Sequence, residues 1–295
     1  MKRSARVSVL VVVVLIGLGG VACVPPPPPG SGDQYVALGD SYTAGPLIPT
    51  QLSDPGGCLR SDHNYPHLTA PSVATPRFRD VSCSGARTEH MTEAQNVSPG
   101  PNPPQFDALD SETTVVSVGI GGNDIGFTDI AQSCVALLPF GSPCRDQYVV
   151  NGVDEISRRI NETAPKIAAV IQGIRERAPA ATIYVVNYLP IFPEGPLSPG
   201  APEGCWPQMP YAYNDVPYLR DKHQELNAML ATQAAAYGAV LVNAYTAGIG
   251  HDACRSSSER WVEPVVPTSP AAPLHPNAAG MEGTSNVLRA AIGAG

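Results

Sequence analysis

The order of apolar segments predicts an α/β protein: a three-layer α/β/α sandwich around a central parallel sheet. Three observations carry that reading. Short apolar or β-branched runs alternate with helix-period segments along the chain. Several of these runs stop at glycine-rich or polar clusters, as strands do when they bring ligand-binding residues to the carboxyl edge of a parallel sheet. No internal repeat and no second linker follows residue 34, so a single domain is expected over 35–295.

The first strand is expected where Tyr35-Val36-Ala37-Leu38 runs into Gly39-Asp40-Ser41-Tyr42. A Pro/Gly-rich loop follows to about residue 60, and 64–70 reads as a short helix with Pro66 in its first turn. The second strand, 78–82, ends at Cys83-Ser84-Gly85-Ala86. A turn-rich linker at 99–104 precedes the clearest strand, Thr113-Thr114-Val115-Val116-Ser117-Val118. That run ends at Gly119-Ile120-Gly121-Gly122-Asn123-Asp124. Residues 153–178 carry Ile156, Ile160, Ile167, Ile171 and Ile174 at helical spacing, and Pro165 is expected to kink or divide the helix. A strand at 182–188 leads into a long Pro-rich loop. An amphipathic helix at 216–237 is stopped by Gly238. A strand at 239–243, a mostly looped stretch at 244–272 and a last helix at 276–291 complete the chain.

The chain of 295 residues carries 18 Lys and Arg against 26 Asp and Glu. An acidic chain of this kind argues against a nucleic-acid partner and offers no basic face to an anionic membrane. Lys2, Arg3 and Arg6 precede an apolar run at 7–21, the pattern of a secretory signal. That run falls short of the ~20 apolar residues that comfortably span a bilayer. The stretch Leu18-Gly19-Gly20-Val21-Ala22-Cys23 resembles a bacterial lipobox, with Gly20 where leucine is usual. It implies either lipidation of Cys23, with attachment to a membrane, or ordinary cleavage nearby with Cys23 discarded. Residues 24–34 contain five consecutive prolines and read as an extended spacer or a disordered tail. Without Cys23 six cysteines remain, an even set that suggests disulfides in an exported chain, with 15 possible pairings. Cys134 and Cys144 flank one short loop and are the safest pair. None has the tight spacing of a structural zinc site, and no cofactor or metal is expected.

Ser41 sits where a strand would deliver a nucleophile, and a serine hydroxyl needs a base. Of six histidines, His63, His67, His90 and His251 fall in loops and His223 on a polar helical face. His275 immediately precedes Pro276, on a turn at an element boundary. The bland readings are a helix cap for Ser41, a packing role for His275 and a turn residue for Asn123. The Gly-x-Ser-x-Gly elbow of α/β-hydrolases is absent, since Thr43 stands where its second glycine belongs.

Four blocks, in order, resemble the SGNH hydrolases, also called GDSL esterases and lipases. They are Gly39-Asp40-Ser41-Tyr42, Gly85 within Cys83-Ser84-Gly85-Ala86, Gly121-Gly122-Asn123-Asp124, and His275-Pro276. The cysteine-rich loops are most similar to secreted actinobacterial members. The resemblance implies a flavodoxin-like SGNH hydrolase fold, hydrolysis of carboxylic esters such as acyl lipids, and a monomer without cofactor. Ser41 would be the nucleophile and His275 the base, with the N–H groups of Ser41 and Gly85 and the amide of Asn123 as oxyanion hole. It also implies the pairs Cys58–Cys83, Cys134–Cys144 and Cys205–Cys254. The same site serves carbohydrate O-deacetylases, and an inactive binding lipoprotein of this fold is the reading from another class.

One departure from the family stands out. Its members usually have an acid three residues before the histidine, and here that residue is Ala272. Some actinobacterial relatives orient the histidine through a main-chain carbonyl, so the carbonyl of Ala272 is expected to receive the imidazole N–H. Glu263 or Glu259 is the rival. Leu137-Leu138-Pro139-Phe140 reads either as an apolar rim for acyl chains or as loop packing.

Overall fold

The structure is a computed structural model and describes residues 33–293. The expected signal segment, Cys23 and the proline run lie outside the described residues. The described residues form seven strands, β1 (Gln34–Gly39), β2 (Arg77–Asp80), β3 (Thr113–Gly119), β4 (Val149–Val150), β5 (Val153–Asp154), β6 (Thr182–Val186) and β7 (Val240–Val242). Their α-helices are α1 (Ser41–Ala44), α2 (Tyr65–Thr69), α3 (Phe127–Ser133), α4 (Pro143–Tyr148), α5 (Glu155–Arg177), α6 (Asp215–Ala236), α7 (Ala244–Ala247) and α8 (Ala278–Gly293).

Five strands pair in the order β2-β1-β3-β6-β7, all parallel. The chain crosses from β2 back over β1 to reach β3, so β1 and β3 diverge at a topological switch point, where open α/β sheets bind ligands. The α2 and α8 helices pack together, as do α5 and α6, covering the sheet on its two faces. β1 is buried along its whole length, which is why its sequence is a continuous apolar run rather than an alternating one. The hydroxyls of Tyr35 and Ser117 satisfy each other at 2.8 Å inside the sheet.

α5 runs unbroken from Glu155 to Arg177, so Pro165 does not divide it. Pro165 lies on the exposed face, where water can serve the carbonyl left without a partner. Between Asp124 and the helix expected from residue 153 the sequence predicts no element, yet α3, α4 and the β4–β5 hairpin form there, the hairpin reaching Asp154. These helices are one to two turns long and carry no helical periodicity that sequence alone could reveal. The three disulfides are Cys58–Cys83, Cys134–Cys144 and Cys205–Cys254.

Candidate active site

β1 ends at Gly39, pressed against its neighbours. A Cβ there would stand 2.2 Å from the Thr43 hydroxyl and 2.6 Å from the Gly119 carbonyl. Buried Gln105 holds both backbone groups of Gly39, accepting its N–H at 2.8 Å and donating to its carbonyl at 2.9 Å. The next residue, Asp40, caps the single turn of α1 by accepting the Tyr42 N–H at 2.9 Å. Ser41 is the first residue of that turn, so its own N–H has no acceptor within the helix.

His275 arrives from 234 positions away and stands with Nε2 2.8 Å from Ser41 Oγ. Its Nδ1 lies 2.7 Å from the carbonyl of Pro273. A carbonyl only accepts, so Nδ1 carries the proton and Nε2 of the neutral ring presents its lone pair to the serine. The expected acceptor, Ala272, is corrected by this geometry. The turn closes with the His275 N–H on the Ala272 carbonyl at 3.2 Å, which leaves the Pro273 carbonyl beside the ring. Leu274, between them, sits at φ +60°, a left-handed conformation that a leucine adopts only when its surroundings impose it. They do so from both sides. Its N–H donates to the Glu263 carbonyl at 3.1 Å, and its carbonyl accepts the Tyr42 hydroxyl at 2.6 Å.

Glu263 and Glu259 do not reach the imidazole. The Glu263 carboxylate is fully buried and pairs with Arg260 at 3.1 Å, while accepting from Asn277 at 2.8 Å and from the Thr268 N–H at 2.9 Å. Glu259 binds the Ser256 hydroxyl. Of the other histidines, His223 lines the same cleft, while His251 stacks on Trp261 at 4.3 Å.

Gly85 lies in a turn at φ +79°, in the left-handed region that suits glycine. Its N–H is bonded to no acceptor among the described residues. The turn is fixed by the Cys58–Cys83 disulfide, by Cys83 N–H on the Gly39 carbonyl at 3.0 Å, and by Ser84 N–H on the Cys58 carbonyl at 3.0 Å. Asn123 follows β3 and donates one amide hydrogen to the Ala86 carbonyl at 2.9 Å, tying its loop to that of Gly85. Thus Ser41, Asn123 and His275 line one cleft, with Gly85 in the loop to which Asn123 is tied.

Several contributors are not apparent from the four blocks. The Tyr188 hydroxyl donates to the Asp40 carboxylate at 2.6 Å and accepts the Gly122 N–H at 2.7 Å, joining the ends of β1 and β3. Asn227 on α6 in turn clamps both backbone groups of Tyr188. Tyr188 follows a strand, and the edge rule that marks Ser41 and Asn123 marks it too. Burial pushes the Asp40 carboxyl up to about 7, against the bonds from Tyr188 and Tyr42. Burial lowers the His275 pKa below the ordinary histidine value, opposed by the bond to Pro273.

The cleft spans about 390 Å³ counted with its solvent-open mouth. Beside it lies a second, partly open pocket of about 460 Å³ counted with its solvent-open part, sharing Phe127, His223 and Leu226 with the first and lined otherwise mainly by apolar side chains such as Ile130, Ala131, Phe192 and Leu219, with Tyr211, Lys222 and Leu274. Lys222 turns its ammonium away to Asp154 and Glu225. What remains is an almost wholly apolar chamber next to a serine, a neutral imidazole and the Asn123 amide. Such a set can activate a hydroxyl against a carbonyl carbon and hold the resulting oxyanion.

The sequence model of the GDSL-like lipase/acylhydrolase family matches residues 37–282. Among curated proteins, Lipase 2 of Streptomyces coelicolor is 38% identical over 256 residues, covering 84% of this chain and 81% of the relative. Lipase 1 of the same organism is 31% identical over 287 residues, 96% of each chain. Among solved structures, the extracellular lipase of Streptomyces rimosus superposes with a TM-score of 0.70 at 30% identity, covering 88% of this chain and 99% of that one. Phospholipase A1 of Streptomyces albidoflavus gives 0.72 at 27% identity, covering 87% and 98%.

Proposed function

The chain belongs to the GDSL-like lipase/acylhydrolase family and is a carboxylic ester hydrolase, and we propose that it is exported and cleaves acyl esters through a covalent acyl-enzyme on Ser41. The observation that carries this reading is the 2.8 Å contact between Ser41 Oγ and His275 Nε2, with the ring's other nitrogen held by the Pro273 carbonyl. Ser41 Oγ attacks the ester carbonyl as His275 Nε2 takes its proton. The N–H groups of Ser41 and Gly85, with the amide of Asn123, receive the oxyanion. Collapse of the tetrahedral species breaks the acyl–oxygen bond, and His275 returns the proton to the leaving alcohol. Water then repeats the sequence on the acyl-serine. The pair is a dyad completed by a main-chain carbonyl.

The apolar cavity beyond Phe127 and Leu226 supports an acyl chain as the group held on the enzyme side. Three disulfides support an oxidising destination. In this reading the segment before Cys23 directs export, a lipid on Cys23 anchors the protein to the cell surface, and the proline-rich segment that ends before Gln34 holds a monomeric hydrolase domain away from the membrane.

A fluorophosphonate probe tests the nucleophile. Wild-type protein is expected to be labelled at one serine, and Ser41→Ala to abolish both labelling and turnover of p-nitrophenyl esters. Folded wild-type protein that takes no label would end the hydrolase reading. A panel of acyl p-nitrophenyl esters, a phospholipid and acetylated xylan separates lipase or esterase from deacetylase.

A further inference from the structure

The Cys134–Cys144 disulfide closes a loop whose middle is uncharged from Val135 to Pro143. Its apolar side chains point into solvent: Leu137 is 91% exposed, Phe140 74% and Leu138 67%. A loop that packed its own apolar residues would bury them. This one is braced in the opposite sense. Ala136 N–H donates to the Pro210 carbonyl at 2.7 Å and Tyr213 N–H to the Pro139 carbonyl at 2.9 Å. At its far root the buried Asp215 carboxylate accepts the N–H groups of Cys144 and Arg145 at 3.0 and 2.9 Å. The backbone is therefore tied down while the three large side chains are held out.

The loop is also continuous with the cleft. It grows from α3, whose Phe127 lines the cleft beside Ser41 and whose Ile130 and Ala131 line the apolar cavity. α3 has seven residues and so spans about 10 Å. The segment that supports the loop, 209–213, supplies Tyr211 to the same cavity, and its hydroxyl donates to the Ala131 carbonyl at 3.1 Å.

We infer that the tip formed by Leu137, Leu138 and Phe140 docks on the surface of an uncharged or zwitterionic lipid aggregate, resting on the reading of Ser41 as nucleophile of an acyl-ester hydrolase. Charge argues for that occupant. The tip carries none, and the chain is net negative at −8, so an anionic surface would repel the protein while a neutral one accepts the tip on apolar grounds. Seated this way, the tip brings the neighbouring cavity against the layer from which an acyl chain enters, and the chain passes from lipid to cavity without crossing water. The segment read from sequence as rim or packing is thus assigned outward, to the substrate's phase rather than to the substrate itself.

The test uses residues 24–295, which keep every described element and lack both Cys23 and the apolar run at 7–21, so that neither an N-terminal lipid nor that run contributes to vesicle binding. Flotation with phosphatidylcholine vesicles is compared for this protein and for Leu137→Ser/Leu138→Ser/Phe140→Ser, whose exposed positions leave the core intact. The vesicle-bound fraction and the hydrolysis of a vesicle-borne ester are expected to fall roughly tenfold, while kcat/KM on dissolved p-nitrophenyl butyrate stays within about twofold. Unchanged flotation overturns the proposal. So does an equal loss on both substrates, which would make the tip a support of the cleft. If the starting protein does not float and the triple substitution instead dissolves a dimer in sedimentation, the occupant is a second copy and the proposal fails. Absence of activity on the dissolved ester would remove the hydrolase reading, and flotation would still decide whether the tip binds lipid.

Discussion

His275 can take a proton from Ser41 only when its ring is neutral. Burial disfavours the charged ring and lowers its pKa below the ordinary 6.5, and the Pro273 carbonyl recovers part of that. Activity is therefore expected to fall on the acid side with a midpoint below pH 6.5, read from kcat/KM against pH on a dissolved ester. A midpoint well above 6.5 would show that a carboxylate raises the ring's affinity for its proton. The same question is put directly to Glu263. Its carboxylate neutralises buried Arg260 and braces the backbone next to His275, without touching the imidazole. Glu263→Gln leaves the guanidinium unpaired, and the expected loss is about 3–5 kcal/mol of stability, seen as a lower unfolding midpoint. At temperatures where the variant is folded, kcat should fall far less than in His275→Ala. An equal fall would make Glu263 the third member of a triad.

At the scale of elements, the five strands of the sheet and the short helix α2 were legible, while α3, α4 and the β4–β5 hairpin were not. Thr113 to Val118 could be read because β-branched residues in a largely buried strand form one continuous block, and Gly39 could be read because the chain must pass close to Thr43 and Gly119 just there. α3 and α4 are fixed by contacts with distant segments, such as Asp215 on the N–H of Cys144, and no local pattern encodes those. Pro165 misled because its effect depends on which face of α5 it occupies, a tertiary fact. Ala272 marked the right turn and the wrong carbonyl, because one-residue differences in a turn depend on backbone angles such as that of Leu274. The Cys58–Cys83 bridge joins the loop after α1 to the turn of Gly85 across 25 residues. Closing a loop of that length contributes about 3.5 kcal/mol in the chain-entropy treatment. Cys58→Ser/Cys83→Ser should lower stability by about 2–4 kcal/mol. If the Gly85 N–H receives the oxyanion as proposed, the double substitution should also reduce kcat in protein that is still folded, because the bridge fixes the turn that bears Gly85. Unaltered kcat in the folded variant would remove Gly85 from the oxyanion hole.

For the molecule as a whole, the cleft sets two ionisable groups against each other. His223, brought in by α6, is buried between the catalytic cleft and the apolar cavity, and burial lowers its pKa to about 4. Asp40, at the end of β1, is raised to about 7. Between about pH 4 and 6.5 the unfolded chain protonates a histidine that the folded protein keeps neutral, so the His223 contribution is complete above 6.5 and is lost as pH falls. Over nearly the same window the folded protein keeps a proton on Asp40 that the unfolded chain has released, so the Asp40 contribution is largest near pH 4 and is lost as pH rises towards 7. Each spans roughly 3 pH units, on the order of 3–4 kcal/mol at full extent. The two slopes oppose, and the wild-type protein is expected to be flatter in acid than either group alone would make it. His223→Phe leaves Asp40 acting alone, so its unfolding midpoint relative to wild type should rise as pH falls from 7 to about 4. Asp40→Asn leaves His223 acting alone, and its midpoint relative to wild type should fall over the same range. Because all other carboxylates are common to the three proteins, the differences between their melting curves isolate these two groups. Parallel dependences of midpoint on pH in all three would show that the buried cleft carries no such opposed pair.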